Sequence, residues 1–165
     1  METMVMQRRF AAAVTLVILL LLGLGGCASS RPQEPALNIP SGWPVNPRVA
    51  AVTSPFGARR GGTWHQGLDL SAPKGSPVWA TAAGTVIRAE REGAWGRMVL
   101  IDHGNGYRTR YAHLKRIRVT RGERVVRGDT IGTVGESGRA SGPHLHYEVL
   151  REGQPVDPRP YLNRP

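Results

Sequence analysis

Arg97-Met98-Val99-Leu100-Ile101-Asp102, His103-Gly104-Asn105-Gly106 and Tyr107-Arg108-Thr109-Arg110-Tyr111-Ala112-His113 decide the fold class of this 165-residue chain. The first six residues favour a strand. Asn105-Gly106 is a strong hairpin signal, because both residue types accept the positive φ that such a turn requires. Successive side chains of a strand face opposite ways. Tyr107, Thr109, Tyr111 and His113 are therefore expected on one face, with Arg108 and Arg110 on the other. Gly84-Thr85-Val86-Ile87 and Asp129-Thr130-Ile131-Gly132 read as further short strands after glycine or proline turns. No stretch past residue 48 shows a long helical period. The expected class is all-β, with short antiparallel strands forming a compact sandwich or half-barrel with a groove. Lys74-Gly75-Ser76-Pro77-Val78 and Val126-Arg127-Gly128-Asp129-Thr130 each place a turn before a strand, which suggests lipoyl-type hairpin elements.

The N-terminal segment is of a different kind. Arg8 and Arg9 precede an apolar run from Phe10 to Leu24, followed by Gly25-Gly26-Cys27. A short basic region, a short apolar stretch and small residues describe a secretory signal. Leu24-Gly25-Gly26-Cys27 resembles the bacterial lipoprotein box, in which the cysteine is lipidated and becomes the first residue. Residues 1–26 are thus expected to be a removed signal, with Cys27 as the lipid-bearing residue. Cys27 is the only cysteine, so the exported domain has no internal disulfide. Residues 27–48 carry Pro32, Pro35, Pro40, Pro44 and Pro47 and read as a tether, which leaves 49–165 as the domain. The sequence carries a net charge of +10, nearly all of it beyond residue 26. Such a surplus favours an anionic partner. Export disfavours nucleic acid; an anionic cell wall or membrane headgroups fit better.

Five histidines and one aspartate carry the chemistry. His144 and His146 stand in Pro143-His144-Leu145-His146-Tyr147-Glu148. On a strand they project together with Glu148, while Leu145, Tyr147 and Val149 suit a core. His65 and Asp69, in His65-Gln66-Gly67-Leu68-Asp69, are also an even number apart, and Gly67 disfavours a helix between them. Neither H-x-H nor H-x-x-x-D is diagnostic alone. Together they offer nitrogen and carboxylate donors for a divalent metal, with imidazoles to spare. A catalytic zinc site takes three protein ligands and keeps one position open. Such a metal activates water near neutral pH and polarises a carbonyl. The residues thus read as a zinc hydrolase. Parity does not say whether His144 or His146 is the ligand. His103, at the mouth of the hairpin, reads as a turn residue.

These segments resemble the LytM/lysostaphin-type zinc endopeptidases of bacterial cell walls. The likeness runs from about Thr53 to Val149. It rests on Thr53-Ser54-Pro55-Phe56-Gly57-Ala58-Arg59, His65-Gln66-Gly67-Leu68-Asp69-Leu70, the stretch Gly106 to Leu114, Ile131 to Gly138, and Ser141 to Glu148. The resemblance implies one Zn2+ per chain, held by His65, Asp69 and His146. It implies that His113 and His144 stay unligated, one as general base and one or both stabilising the tetrahedral oxyanion. The substrate it implies is peptidoglycan, cut at its peptide cross-links. Relatives that have lost catalysis usually lack some of these residues and activate cell-wall amidases; here all five are present. The alternative class is such a wall-binding, amidase-activating module. A third reading, a zinc hydrolase with a non-wall substrate, fits export, tether and charge less well. Gly132 to Gly142 is expected as a loop bordering the groove, and Trp64 either as a wall of it or as a core or rim residue. Ala28 is not the aspartate of an inner-membrane retention signal. In a two-membrane envelope, the outer membrane facing the periplasm is therefore the expected location.

Overall fold

The computed structural model describes residues 38–163. The chain forms β1 (Ala51–Ser54), β2 (Arg59–Arg60), β3 (Thr63–Trp64), β4 (Leu68–Ser71), β5 (Pro77–Trp79), β6 (Gly84–Glu92) and β7 (Gly96–Gly104). It continues through β8 (Tyr107–Ala112), β9 (Arg116–Ile117), β10 (Arg124–Val125), β11 (Thr130–Thr133), β12 (His144–Arg151) and β13 (Gln154–Val156). One short helix, α1 (Arg159–Leu162), follows. The fold is all-β and antiparallel, as the alternation and turn chemistry predict. The main sheet runs β1-β4-β12-β8-β7-β6-β10, with β13 paired to β12. A smaller sheet runs β5-β11-β9. The two turn-then-strand segments lead into β5 and β11, which pair with each other.

Strand parity divides the main sheet into two working faces. Leu68, Leu70, Val99, Ile101, Tyr111, Leu145, Tyr147 and Val149 point to one face and pack with Val78 and Ile131 of the smaller sheet. This is the core, and its burial stabilises the fold by roughly 1.5–3 kcal/mol for each large side chain. Met98, Leu100, Ala112 and Leu150 form a smaller cluster on the opposite face, with Ile87 and Trp95 against it. The functional histidines share that second face. Asn105 and Gly106 form the β7–β8 turn with φ of 50° and 76°, as their identities predict.

The fold departs from two expectations. Residues 41–45, assigned to the tether, are part of the domain. Val45 is fully buried, Ser41 N–H donates to Thr81 O at 2.9 Å, and Trp79 N–H donates to Pro44 O at 2.8 Å. The proline content concealed an apolar Trp43–Val45 segment that finds the core. The remaining expected tether up to residue 37, the 1–26 signal and Cys27 lie outside the described residues. His103 is a core residue and not a turn residue. Its Nδ1–H donates to Ala83 O at 2.8 Å, and Nε2 accepts from Thr109 Oγ1 at 2.7 Å. Burial lowers its pKa and keeps the ring neutral. Thr109 and Thr81 continue this polar network to the hydroxyls of Tyr111 and Tyr147.

Candidate metal centre

The centre is assembled by register. β12 lies between β4 and β8, with His146 opposite Asp69 and His144 opposite Ser71. His65 precedes β4 on the turn-rich approach, where its N–H donates to Ala58 O at 2.9 Å. His65 Nε2 lies 3.1 Å from Asp69 Oδ1 and 3.0 Å from His146 Nδ1, and His146 Nδ1 lies 2.9 Å from Asp69 Oδ1. All three residues are buried. Donor atoms about 2 Å from a tetrahedral zinc lie roughly 3–3.5 Å apart, so this triangle fits the ion.

The outer nitrogens explain why lone pairs converge there. His65 Nδ1 stands 2.9 Å from Pro55 O, and a carbonyl can only accept, so Nδ1 carries the hydrogen and Nε2 the lone pair. His146 Nε2 stands 2.9 Å from Glu148 Oε1 and donates to it, which leaves the Nδ1 lone pair aimed inward. Glu148 is fully buried and is held by Arg110 Nη1 at 2.7 Å and Trp95 Nε1 at 3.3 Å. The Arg110 guanidinium stacks 4.1 Å over Trp95. Burial works against the Glu148 charge, but His146 and Arg110 outweigh it and hold its carboxyl below the usual range. Carboxylate–imidazole pairs of this kind fix the tautomer and raise ligand basicity. Three acceptors within about 3 Å of one another repel unless a cation sits among them. The set of two nitrogens and one carboxylate suits zinc.

Without metal, a proton serves as that cation. Burial lowers the His146 pKa, but the hydrogen bonds to Asp69 and Glu148 prevail and raise it. Burial likewise opposes the Asp69 charge, and its contacts with His146 and His65 overcome it, holding the carboxyl well below its ordinary range. Metal therefore competes with a proton for His146. Zinc binding at neutral pH is expected to release protons, and affinity is expected to rise with pH until His146 is deprotonated in the free protein. Calorimetry in buffers of different ionisation enthalpy reads this directly. A buffer-independent heat contradicts it.

His113 and His144 border the triangle without entering it. Their rings are 4.7 Å apart, and His113 is 5.8 Å from the His146 ring. Parity placed His113 with Tyr107, Thr109 and Tyr111, yet Tyr111 faces the core and His113 faces the metal cluster. The reason is local. His113 lies just past β8 with φ of 61°, a left-handed backbone that turns its side chain to the opposite face. Its Nδ1–H donates to Ser137 O at 2.8 Å, and His144 Nδ1–H donates to Gly142 O at 2.8 Å. Each ring keeps Nε2 as a lone-pair nitrogen, and that of His144 is 3.8 Å from Asp69 Oδ1. Burial, opposed by the Ser137 carbonyl, lowers the His113 pKa to about 4, so the ring is neutral at pH 7. Gly135 packs under this bend, where a Cβ would lie 2.3 Å from Lys115 N and 2.7 Å from His113 O.

A cleft of about 1110 Å³ opens over the histidines. Trp64, Trp95, Arg139, Ser141 and Pro143 line it. Trp64 is 63% exposed with the Arg59 guanidinium 5.1 Å from its ring, which makes it rim and not core. Of the expected 132–142 loop, Gly132 and Thr133 belong to β11, and residues 139–142 border the cleft. Arg110, Trp95 and Ser137 were not expected at the site. Glu148 was on the correct face by parity, and that was the available signal. Gly67 is a further one: a Cβ there would lie 2.6 Å from Tyr147 O and 2.8 Å from His146 Cε1. Gly67→Ala is expected to destabilise the domain by about 1–3 kcal/mol through overpacking and to weaken zinc binding. Thermal melts with and without zinc read both effects.

Residues 63–158 match the sequence model of Peptidase family M23, and the chain belongs to that family. It is similar to the DD-carboxypeptidase/endopeptidase Mpg of Neisseria meningitidis serogroup B, with 45% identity over 123 residues covering 71% of this chain and 28% of the relative. It is also 45% identical over 93 residues to the peptidoglycan DD-endopeptidase ShyA of Vibrio cholerae, covering 56% of this chain and 22% of that protein. The chain thus spans about a quarter of the length of these relatives. Among solved structures it resembles a zinc containing peptidase from Vibrio cholerae, with a TM-score of 0.69, 35% identity, and coverage of 78% of this chain and 41% of that one.

Proposed function

We propose that the protein is a zinc-dependent endopeptidase that hydrolyses peptide cross-links of peptidoglycan. The observation that carries this reading is the meeting of three lone pairs beside two further imidazoles in an open cleft. His65 Nε2, Asp69 Oδ1 and His146 Nδ1 would hold one Zn2+. When bound, the ion supplies Lewis acidity toward a carbonyl and lowers the pKa of water. Glu148 keeps the His146 tautomer that presents Nδ1. His113 and His144 offer Nε2 lone pairs to the cleft. One takes a proton from the attacking water as its oxygen bonds the scissile carbonyl carbon, and passes it to the leaving amine as the C–N bond breaks. Once protonated, either donates an N–H to the developing oxyanion. The names of the wall-endopeptidase relatives support a peptidoglycan substrate. Purified protein with zinc is expected to convert cross-linked muropeptide dimers to monomers without freeing stem peptides from the glycan. A protein that cleaves nothing yet stimulates a wall amidase would instead be the activating module.

The same reading places the protein in the cell envelope, lipid-anchored through Cys27 after removal of residues 1–26. Arg8-Arg9, the Phe10–Leu24 run and Leu24-Gly25-Gly26-Cys27 support it. In a two-membrane envelope the anchor lies in the outer membrane, facing the periplasm. Two or three acyl chains hold a domain stably where one does not. Cys27→Ser is expected to lose the acyl mass and leave the mature membrane-bound pool. An unmodified wild-type Cys27 with residues 1–26 still attached, seen by mass spectrometry, contradicts this.

A further inference from the structure

The two ends of β6 serve different neighbours. Glu92 leads into Gly93–Trp95, whose Ala94 and Trp95 line the cleft. At the other end, Gly84 pairs with Val125 and Thr85 with Arg124. Nine residues separate these ends by roughly 26 Å. Arginine recurs at every third position, Arg118, Arg121, Arg124 and Arg127, all exposed, and this stretch reaches the end remote from the cleft, where Arg124 pairs with Thr85. The acids of this stretch are already engaged. Glu123 accepts from Thr120 N–H at 2.9 Å, and Asp129 accepts from Val126 N–H at 2.8 Å. Arg118, Arg121 and Arg124 make no ion pair among the described residues. Val126 stands in the same strip, 61% exposed. Ser41 lies at this end too, where its N–H donates to Thr81 O and the Arg127 guanidinium donates to its Oγ.

We propose that this end of the domain is a docking surface for anionic phospholipid headgroups. Unpaired guanidinium groups bind phosphate strongly, and a strip of them is attracted to a negative membrane surface. Because the strip lies toward the end of β6 away from the cleft, headgroup contact seats the domain on its own membrane with the cleft directed toward the wall. The inference rests on the envelope reading above, but its test reads arginine accessibility, so its failure is separable from failure of catalysis or acylation.

The full-length chain in lipid nanodiscs is footprinted with phenylglyoxal and read by mass spectrometry. On discs with about one-third phosphatidylglycerol in phosphatidylcholine, modification of Arg118, Arg121 and Arg124 is expected to slow about five-fold or more relative to pure phosphatidylcholine, and to recover in high salt. Arg139, at the cleft, should react alike on both. Equal rates for the three arginines on the two disc types overturn the proposal. So does slowing that appears only when wall fragments are added, which assigns the strip to a wall polyanion. Arg121→Gln with Arg124→Gln should abolish the lipid-dependent protection of Arg118 and leave cleavage of soluble muropeptides unchanged. Protection that persists in this variant also overturns it.

Discussion

Asp69→Ala is expected to lose both zinc and turnover. Bound zinc should fall from about one per chain to near zero, and muropeptide cleavage by roughly three orders of magnitude or more. Asp69 Oδ1 is the only anionic atom of the triangle, within 3.1 Å of both ligand nitrogens. Its loss removes a donor and the charge that offsets the cation. The fold should persist, because the neighbours Leu68 and Leu70 carry the core contact of β4 and are unchanged. Metal analysis, circular dichroism and the muropeptide assay on one preparation test this. A variant that retains stoichiometric zinc would show that the ligand set is wrong.

His113→Asn is expected to keep zinc and lose turnover by roughly 10²- to 10⁴-fold, the usual worth of a positioned proton-transfer group. Asparagine is the informative substitution because it tolerates the left-handed backbone at φ of 61°. His113→Ala should give the same loss with some added destabilisation from that backbone. The ring's Nδ1–H is committed to the Ser137 carbonyl, so only Nε2 faces the chemistry, and asparagine cannot reproduce a neutral imidazole there. A module kept for wall binding alone has no use for two unligated imidazoles beside its metal ligands; hydrolysis does. Wild-type rates from either variant would remove His113 from the mechanism.

Much of this was legible in the sequence, because strand geometry repeats every two residues and is set by the chain itself. That period put His144, His146 and Glu148 on one face and Leu145, Tyr147 and Val149 on the other, and the structure agrees. Asn105-Gly106 announced its hairpin through backbone preference, a property of those residue types alone. What the tertiary structure decided are the matters that depend on neighbours remote in sequence. The choice between His144 and His146 rests on register: His146 faces Asp69 across the β4–β12 pair, while His144 is displaced to Ser71. The turn of His113 to the other face comes from a single positive φ, packed over Gly135 and held by Ser137 from a distant loop. The lone pairs of the centre are aimed by Pro55 O on one side and by Glu148, braced by Arg110 and Trp95, on the other. Local sequence dictates which side chains share a face. Only the pairing of strands and loops brings three acceptors to within about 3 Å of one another, because that approach sets their repulsion against the packing of the whole sheet.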